Sequence, residues 1–135
     1  MANAIYPKYK ETILGAGTNT NLLTGTVKVA LVDTGTYTYN AAHQFLTSLT
    51  GVVGTAQTIG ATKSVTNGVF DGADVTYTAV PGTTSVEALV IYVDTGSAAT
   101  SPLVAYIDDG VTGLPVTTNG GDITVTWNAS GIFAL

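Results

Sequence analysis

Apolar and polar residues alternate strictly in one segment near the carboxyl terminus. Ile123, Val125 and Trp127 lie on one face of this segment. Thr124 and Thr126 lie on the other face. A period of two residues is typical of a β-strand, and the polar face indicates a strand with one side in the core and the other in water.

Another segment is apolar on both faces. Residues 88–93 read ALVIYV, which is the pattern of a central strand that is covered on both sides. Residues 26–33 also read as a strand, with Val27, Val29 and Leu31 on one face. We expect these two segments to form the middle of the core.

Turn residues separate further strand candidates along the chain. They lie at 56–60, 62–66, 73–80, 86–94, 102–108, 115–118, 122–127 and 131–135. Short strands at regular spacing favour a mainly β fold, a compact antiparallel β-sandwich or barrel-like domain. Since no segment has the composition of a linker, we expect a single domain over residues 1–135.

The start and stop signals of a short helix occur near the amino terminus. Pro7 fits a first helical position and Gly15 follows the last apolar residue, which predicts a helix over 7–14. Residues 1–6 precede this helix and are a candidate for an extended arm.

A second short helix is predicted over 41–49. Asn40 is a suitable N-cap, Phe45 and Leu49 are spaced i, i+4, and Gly51 follows. The sequence thus predicts one or two short helices in the first 50 residues.

The charge content changes the functional picture. Charged residues make up 10% of the chain and hydrophobic residues 45%, with a net charge of −5 and no cysteine. The basic residues are four lysines, so no arginine cluster is present to neutralise phosphates, and we expect no direct nucleic-acid binding.

Neither a secretion signal nor a membrane-spanning run is recognisable, and we expect no membrane association. So few charges suggest a surface that partners cover.

A strand followed by Asp, a polar residue and Gly recurs in the chain. The three copies end at Asp33–Gly35, Asp94–Gly96 and Asp108–Gly110, and two of them read Asp-Thr-Gly. That tripeptide is similar to the signature of aspartic proteases, in which paired carboxylates share a proton. Ordinary turn chemistry is the interpretation we favour, with Asp accepting local N–H bonds and Gly supplying a positive φ. We therefore expect no catalytic residue and no enzyme activity.

Other chemistry-bearing residues are isolated. The pairs Asp71 with Asp74 and Asp108 with Asp109 offer too few oxygens for a dedicated calcium loop. His43 has no partner at a spacing typical of a metal or catalytic site, and we expect a surface or capping role. No metal or cofactor is expected.

Tyr37 and Tyr39 alternate with Thr in residues 35–40. This pattern is compatible with an exposed stacking or sugar-binding surface, and hence with a carbohydrate- or receptor-binding module. Packing of both rings under the adjacent helix, or against a neighbour, is the interpretation we favour.

Several sequence blocks, in order, resemble a group of small virion proteins of tailed bacteriophages. These blocks are TVKVALVD (26–33), NGVFD (67–71), ADVTYTAV (73–80), EALVIY (87–92), LVAYID (103–108), LPVTTNGGDITVTW (114–127) and the terminal IFAL (132–135). The likeness spans nearly the whole chain.

Within that group the resemblance implies a head decoration, or cement, protein on the outside of the capsid, which connects neighbouring major capsid subunits. It implies the major capsid protein and copies of itself as partners, a homo-oligomer in the assembled particle, and a location in the virion after a soluble stage in the host cytoplasm. A tail tube, tail tip or head-to-tail connection is the alternative position.

Strand edges and chain termini are where such contacts are expected. At the amino terminus Ile5 and Tyr6 are candidate interaction residues, and at the carboxyl terminus Ile132, Phe133 and Leu135 are candidates. Tyr37 and Tyr39 complete the set.

Overall fold

The computed structural model describes residues 3–60 and 62–135. In these residues the chain is mainly β, with antiparallel pairing throughout and a helix near the amino terminus. The elements are β1 (Ala4–Ile5), α1 (Pro7–Leu14), β2 (Thr26–Val32), a one-turn 3₁₀ helix (Leu46–Ser48), β3 (Val52–Thr58), β4 (Ser64–Thr66), β5 (Val69–Asp71), β6 (Val75–Tyr77), β7 (Ser85–Val86), β8 (Ala88–Asp94), β9 (Leu103–Ile107), β10 (Val116–Thr117), β11 (Ile123–Val125) and β12 (Phe133–Ala134). The mainly β fold class predicted from the sequence is confirmed.

The largest sheet has the order β1-β9-β8-β2-β3. β8 lies in its middle and is buried on both faces, as its unbroken apolar run predicts. Its register with β2 pairs Val29 with Ile91 and Leu31 with Leu89, so the apolar face of β2 continues across β8. These four side chains are fully buried.

Smaller sheets complete the fold: β12-β5-β4, β11-β6 and β10-β7. The β11-β6 pair is fastened to the large sheet by the Tyr77 hydroxyl, which donates a 2.7 Å hydrogen bond to the Val29 carbonyl. Ile123 and Val125 are buried whereas Thr124 is exposed, which confirms the alternation predicted for β11. The buried side chains of all these sheets form one apolar cluster.

Helix α1 begins and ends as the sequence predicts. Pro7 occupies its first turn, and Gly15 is its C-cap. The left-handed residue that ends the helix is nevertheless Ala16, with φ 53°. Gly17 N–H then donates to the Thr12 carbonyl, which is the bonding pattern of a Schellman motif.

The helix predicted over 41–49 is wrong. Only a one-turn 3₁₀ helix forms, at Leu46–Ser48. The Leu46 N–H donates to the Ser101 carbonyl, and the Gln44 carbonyl accepts from the Leu103 N–H. Backbone groups that bond to the start of β9 are not available for the i→i−4 hydrogen bonds of an α-helix.

The extended arm predicted over residues 1–6 is also wrong where the structure describes it; Met1 and Ala2 lie outside the described residues. β1 pairs with β9 of its own chain, with Ala4 opposite Tyr106. The Asn3 side chain accepts N–H bonds from Asp108 and Asp109. This segment is therefore held as an edge strand of the large sheet.

In the described part of the chain, no helix has the length and apolar character needed to cross a membrane.

We expect Leu89→Ala to lower the free energy of unfolding by about 2–5 kcal/mol, because Leu89 is fully buried in β8, the middle strand of the large sheet. The matched control is Leu14→Ala, since Leu14 is 88% exposed on α1, and we expect a change below about 0.5 kcal/mol. Urea unfolding followed by Trp127 fluorescence measures both. Equal losses for the two variants would contradict the central position of β8.

Candidate interaction surfaces

Tyrosine rings cluster on one face of the large sheet. The Tyr39 ring lies 5.1 Å from the Tyr6 ring and 5.4 Å from the Tyr106 ring, centroid to centroid. The Tyr37 ring lies 6.5 Å from Tyr106. Tilted pairs at these separations are favourable aromatic contacts. The cluster joins the segment after β2 to β9 and to the residue that precedes α1.

A chain of hydrogen bonds runs behind these rings. The Tyr6 and Tyr37 hydroxyls lie 2.8 Å apart, and the Tyr37 hydroxyl lies 2.8 Å from His43 Nδ1. A hydroxyl both donates and accepts, so the Tyr37 hydroxyl bridges Tyr6 and His43. The two bonds hold the Tyr37 ring, and His43 serves this network rather than the surface or capping role predicted for it.

A cleft of about 420 Å³ opens beside the tyrosine rings, and we call it the tyrosine cleft. It is lined by Thr34, Tyr37, Thr38, Tyr39, Glu87, Tyr106, Asp108 and Pro115. Thr34, Tyr37 and Tyr39 come from the loop that follows β2, whereas Glu87 precedes β8 and Asp108 follows β9. One end of the central sheet therefore supplies most of the lining, and Pro115, which precedes β10, completes it.

The two carboxylates set the electrostatics of the tyrosine cleft. Glu87 Oε1 accepts the Thr34 N–H at 3.0 Å and the Thr34 hydroxyl at 3.1 Å, which fixes its orientation. Burial, assisted by the charges of Asp108 and Glu87, raises the pKa of Tyr106 above its usual range. Tyr106 is therefore a neutral hydroxyl at physiological pH.

An apolar groove of about 320 Å³ lies elsewhere, between α1 and the β12-β5-β4 sheet. Its apolar lining includes Ile13, Leu23, Val65, Phe70, Phe133 and Leu135, and the described residues that line it include no charged side chain. Leu135 is 63% exposed, and Leu23 and Val65 are each 49% exposed. Large side chains left in water beside one another are typical of a protein-binding surface.

The carboxyl-terminal residues predicted to interact divide between the core and this groove. Phe133 and Leu135 line the apolar groove, and the Phe133 ring packs against Phe70 at 5.4 Å. Ile132 is buried, with 9% exposure. Ile5 is half-buried in β1. It lines a cavity of about 260 Å³ whose lining also includes β12.

Tyr6 and Tyr37 are not available for contact with a partner, which corrects the prediction for both. Tyr6 is 0% exposed and Tyr37 is 2% exposed, because their hydroxyls bond to each other inside the aromatic cluster. Tyr39 is half-buried and keeps part of its ring at the cleft. The prediction that these rings pack is therefore correct for Tyr37, but the helix expected to cover it does not form, and its ring lies against His43 and Tyr106.

The Asp-x-Gly segments form turns. Asp33 Oδ1 accepts the Gly35 N–H at 2.8 Å, and Asp94 Oδ1 accepts the Gly96 N–H at 2.9 Å. Gly96 has a positive φ of 88°. The turn interpretation is therefore confirmed in full for Asp94–Gly96, whereas at Asp33–Gly35 the side-chain bond forms but Gly35 is not among the residues with a positive φ.

The two Asp-Thr-Gly carboxylates lie at opposite ends of the sheet. Asp94 is paired with Thr26 at the start of β2, whereas Asp33 follows the last residue of β2. Seven residues of strand separate the two ends, which is roughly 23 Å. Within one chain these carboxylates do not share a proton. The Asp94 carboxylate instead lies 2.9 Å from the Lys28 ammonium group. The hydrogen bond from the Gly96 N–H is the largest cause that lowers the pKa of Asp94, and the hydrogen bond from Lys28 is the second.

The other acidic pairs are occupied by backbone contacts. Asp71 Oδ1 accepts the Gly72 N–H, and Asp74 Oδ1 accepts the N–H of Trp127. Asp109 Oδ1 accepts the Gly110 N–H. The residues that the structure describes contain no group of three or more His, Cys, Asp or Glu side chains suited to a metal ion.

Sequence reasoning missed the acidic half of the tyrosine cleft and most of the apolar groove. Glu87 and Asp108 adjoin predicted strands, but nothing in their spacing indicates that they face Tyr39. The Leu22–Leu23 pair and the single Val65 stand in polar stretches, and these apolar residues were the available signal for the groove.

The chain matches no protein-family model and no curated protein.

We expect stability to fall as pH rises above about 10. Burial raises the pKa of all seven tyrosines, that of Tyr9 to about 12. The unfolded chain releases tyrosine protons near pH 10 while the folded chain keeps them, so the unfolded state binds fewer protons and is favoured. Urea midpoints between about pH 8 and 11.5, with absorbance at 295 nm, measure the effect.

Tyr77→Phe removes one buried tyrosine from this titration. Above about pH 10, the free energy of unfolding should therefore fall less steeply with pH, by about 1.4 kcal/mol per pH unit. Phe70→Leu is the control, since it perturbs a buried ring without removing an ionisable group. Tyrosine ionisation near pH 10 in a protein that keeps its fold would contradict the prediction.

Proposed function

We propose that this protein is a structural component of a tailed-phage virion that decorates the capsid exterior and stabilises contacts between major capsid subunits. The observation that carries the proposal is the apolar groove between α1 and the β12-β5-β4 sheet. The class of particle comes from the resemblance of the sequence blocks to small virion proteins.

The composition of the groove supports a protein partner. Val65, Leu23 and Leu135 present large apolar side chains to water, and covering them removes apolar surface at roughly 25 cal/mol per Å². Because the described residues that line the groove have no charged side chain, the partner that fits it is an apolar segment of another protein.

Many copies on a symmetric shell make a modest groove sufficient. Each copy adds a small interface, and contacts to two capsid subunits at once, or to neighbouring copies, increase the overall strength of attachment. The edge strand β12 supports a second contact, since within the described residues it pairs with β5 on one side only. The proposed role involves no chemical step.

Averaged cryo-electron microscopy of the intact particle tests the location. Density for this fold on the capsid exterior, with the apolar groove against a major capsid subunit, is the expected result. Density confined to the tail tube, tail tip or head-to-tail connection overturns the decoration role and leaves the protein as another virion component. Absence from the purified particle overturns both.

Two valine substitutions test the groove itself. Val65→Asp places a charge in the groove and should weaken binding to heads that lack the protein by about tenfold or more. Val52→Asp is the matched control, because Val52 is similarly exposed (43%) on an edge strand outside the groove, and its binding should stay unchanged. Co-sedimentation with purified heads measures both variants after circular dichroism has established that they fold. Equal binding by both variants would contradict the groove as the contact surface.

A further inference from the structure

We propose that the tyrosine cleft is a binding site for a neutral polyhydroxylated ligand, a saccharide. The site is independent of the proposed capsid contact, because the tyrosine cleft and the apolar groove share no lining residue. Four features of the cleft carry the proposal: its size, its aromatic wall, its hydrogen-bonding groups and the sign of its charge.

The size of the tyrosine cleft fits a small ligand. Its volume of about 420 Å³ lies within the range of small-molecule sites. The cleft is open on one side, so it suits roughly one or two sugar rings at the end of a longer chain rather than an enclosed cofactor. Affinity from so open a site is expected to be weak for a single ring and to increase when many copies bind together.

Tyr39 supplies the aromatic wall. Its ring is half-buried and is supported by Tyr6 at 5.1 Å and by Tyr106 at 5.4 Å. Tyr6 is in turn held by its hydrogen bond to Tyr37. A ring that is fixed before the ligand arrives offers an apolar face to the C–H side of a sugar at little entropic cost.

Other residues that line the cleft offer hydrogen bonds to hydroxyl groups. Glu87 is oriented by the two bonds that its Oε1 accepts from Thr34. Sugar hydroxyls that donate to carboxylates make short, charge-assisted hydrogen bonds. Thr38 adds an exposed hydroxyl that both donates and accepts. An aromatic face with acceptors beside it matches the apolar and polar sides of a sugar ring.

The charge of the cleft excludes anionic ligands. Glu87 and Asp108 both line it, and no lysine is among its described lining residues. Lys8 and Lys28 are paired elsewhere, with Glu11 and Asp94. Phosphates, sulfated sugars and sialic acids would meet two carboxylates without a compensating cation, so a neutral saccharide is the class that fits.

Amide chemical-shift mapping of the isotope-labelled protein tests the proposal. The probes are the methyl glycosides of glucose, galactose, mannose, N-acetylglucosamine and sialic acid, together with N-acetyl-argininamide, each added to about 20 mM. We expect at least one neutral glycoside to shift the amides of Thr34, Thr38 and Tyr39 in a saturable manner, and the sialoside to leave them unchanged.

Variants assign the binding to the cleft. Tyr39→Ala should weaken the binding about tenfold or more, whereas Tyr39→Phe keeps the ring face and should retain most of it. Glu87→Gln preserves the shape of the side chain and provides a second test if Tyr39→Ala fails to fold. Leu135→Ala, in the apolar groove, is the control and should bind as the wild-type protein does.

Three results would overturn the proposal. The first is that no neutral glycoside shifts the cleft amides. The second is that binding is unaffected by Tyr39→Ala and by Glu87→Gln. The third is that N-acetyl-argininamide alone shifts the cleft amides, in which case the cleft accepts a basic side chain of a partner protein.

Discussion

The burial of β8 on both faces is the constraint on which the rest of the structure depends. Leu89, Val90 and Ile91 have no exposed surface, and β8 exchanges backbone hydrogen bonds with β9 on one side and β2 on the other. A strand that is apolar on both faces needs a layer on each side of its sheet, so the remaining segments of the chain are positioned by what they must cover.

Both candidate surfaces follow from that requirement. The loop after β2 covers Tyr106 with Tyr37 and Tyr39, and this layer ends at the tyrosine cleft. At another part of the molecule, α1 and the β12-β5-β4 sheet approach each other without closing, which leaves the apolar groove. The cleft carries two carboxylates, while the groove has no charged side chain among its described lining residues, so the two surfaces suit ligands of different chemistry.

The elements whose structure depends on local chemistry were predictable from the sequence. The period of β11, the continuous apolar run of β8 and the proline and glycine at the ends of α1 each have a local physical cause, and these elements form as expected. The failures share a different cause. Residues 41–49 have helical spacing, but their backbone bonds to the start of β9, and β1 is an edge strand because β9 offers it a partner about 100 residues away. Tertiary pairing decides both, and no local pattern reveals it.

The candidate surfaces were less predictable than the fold for the same reason. Tyr37 and Tyr39 were visible as an aromatic pair, yet which of them stays accessible is set by the hydrogen bond between Tyr6 and Tyr37 across 31 residues. Glu87 and Asp108 join Tyr39 only because the sheet brings together loops that are distant in the sequence.

The pairing of β1 with β9 also has a consequence for biosynthesis. Ala4 pairs with Tyr106, and β2 pairs with β8 across about 60 residues, so the central sheet consists largely of contacts between distant parts of the chain. Folds with many such long-range contacts fold slowly, because closing long loops costs entropy before the contacts form. During translation, the amino-terminal strand has no partner until β9 has left the ribosome. Until then the apolar side chains that β9 covers are exposed, and unpaired strands of this kind can associate with the wrong molecule.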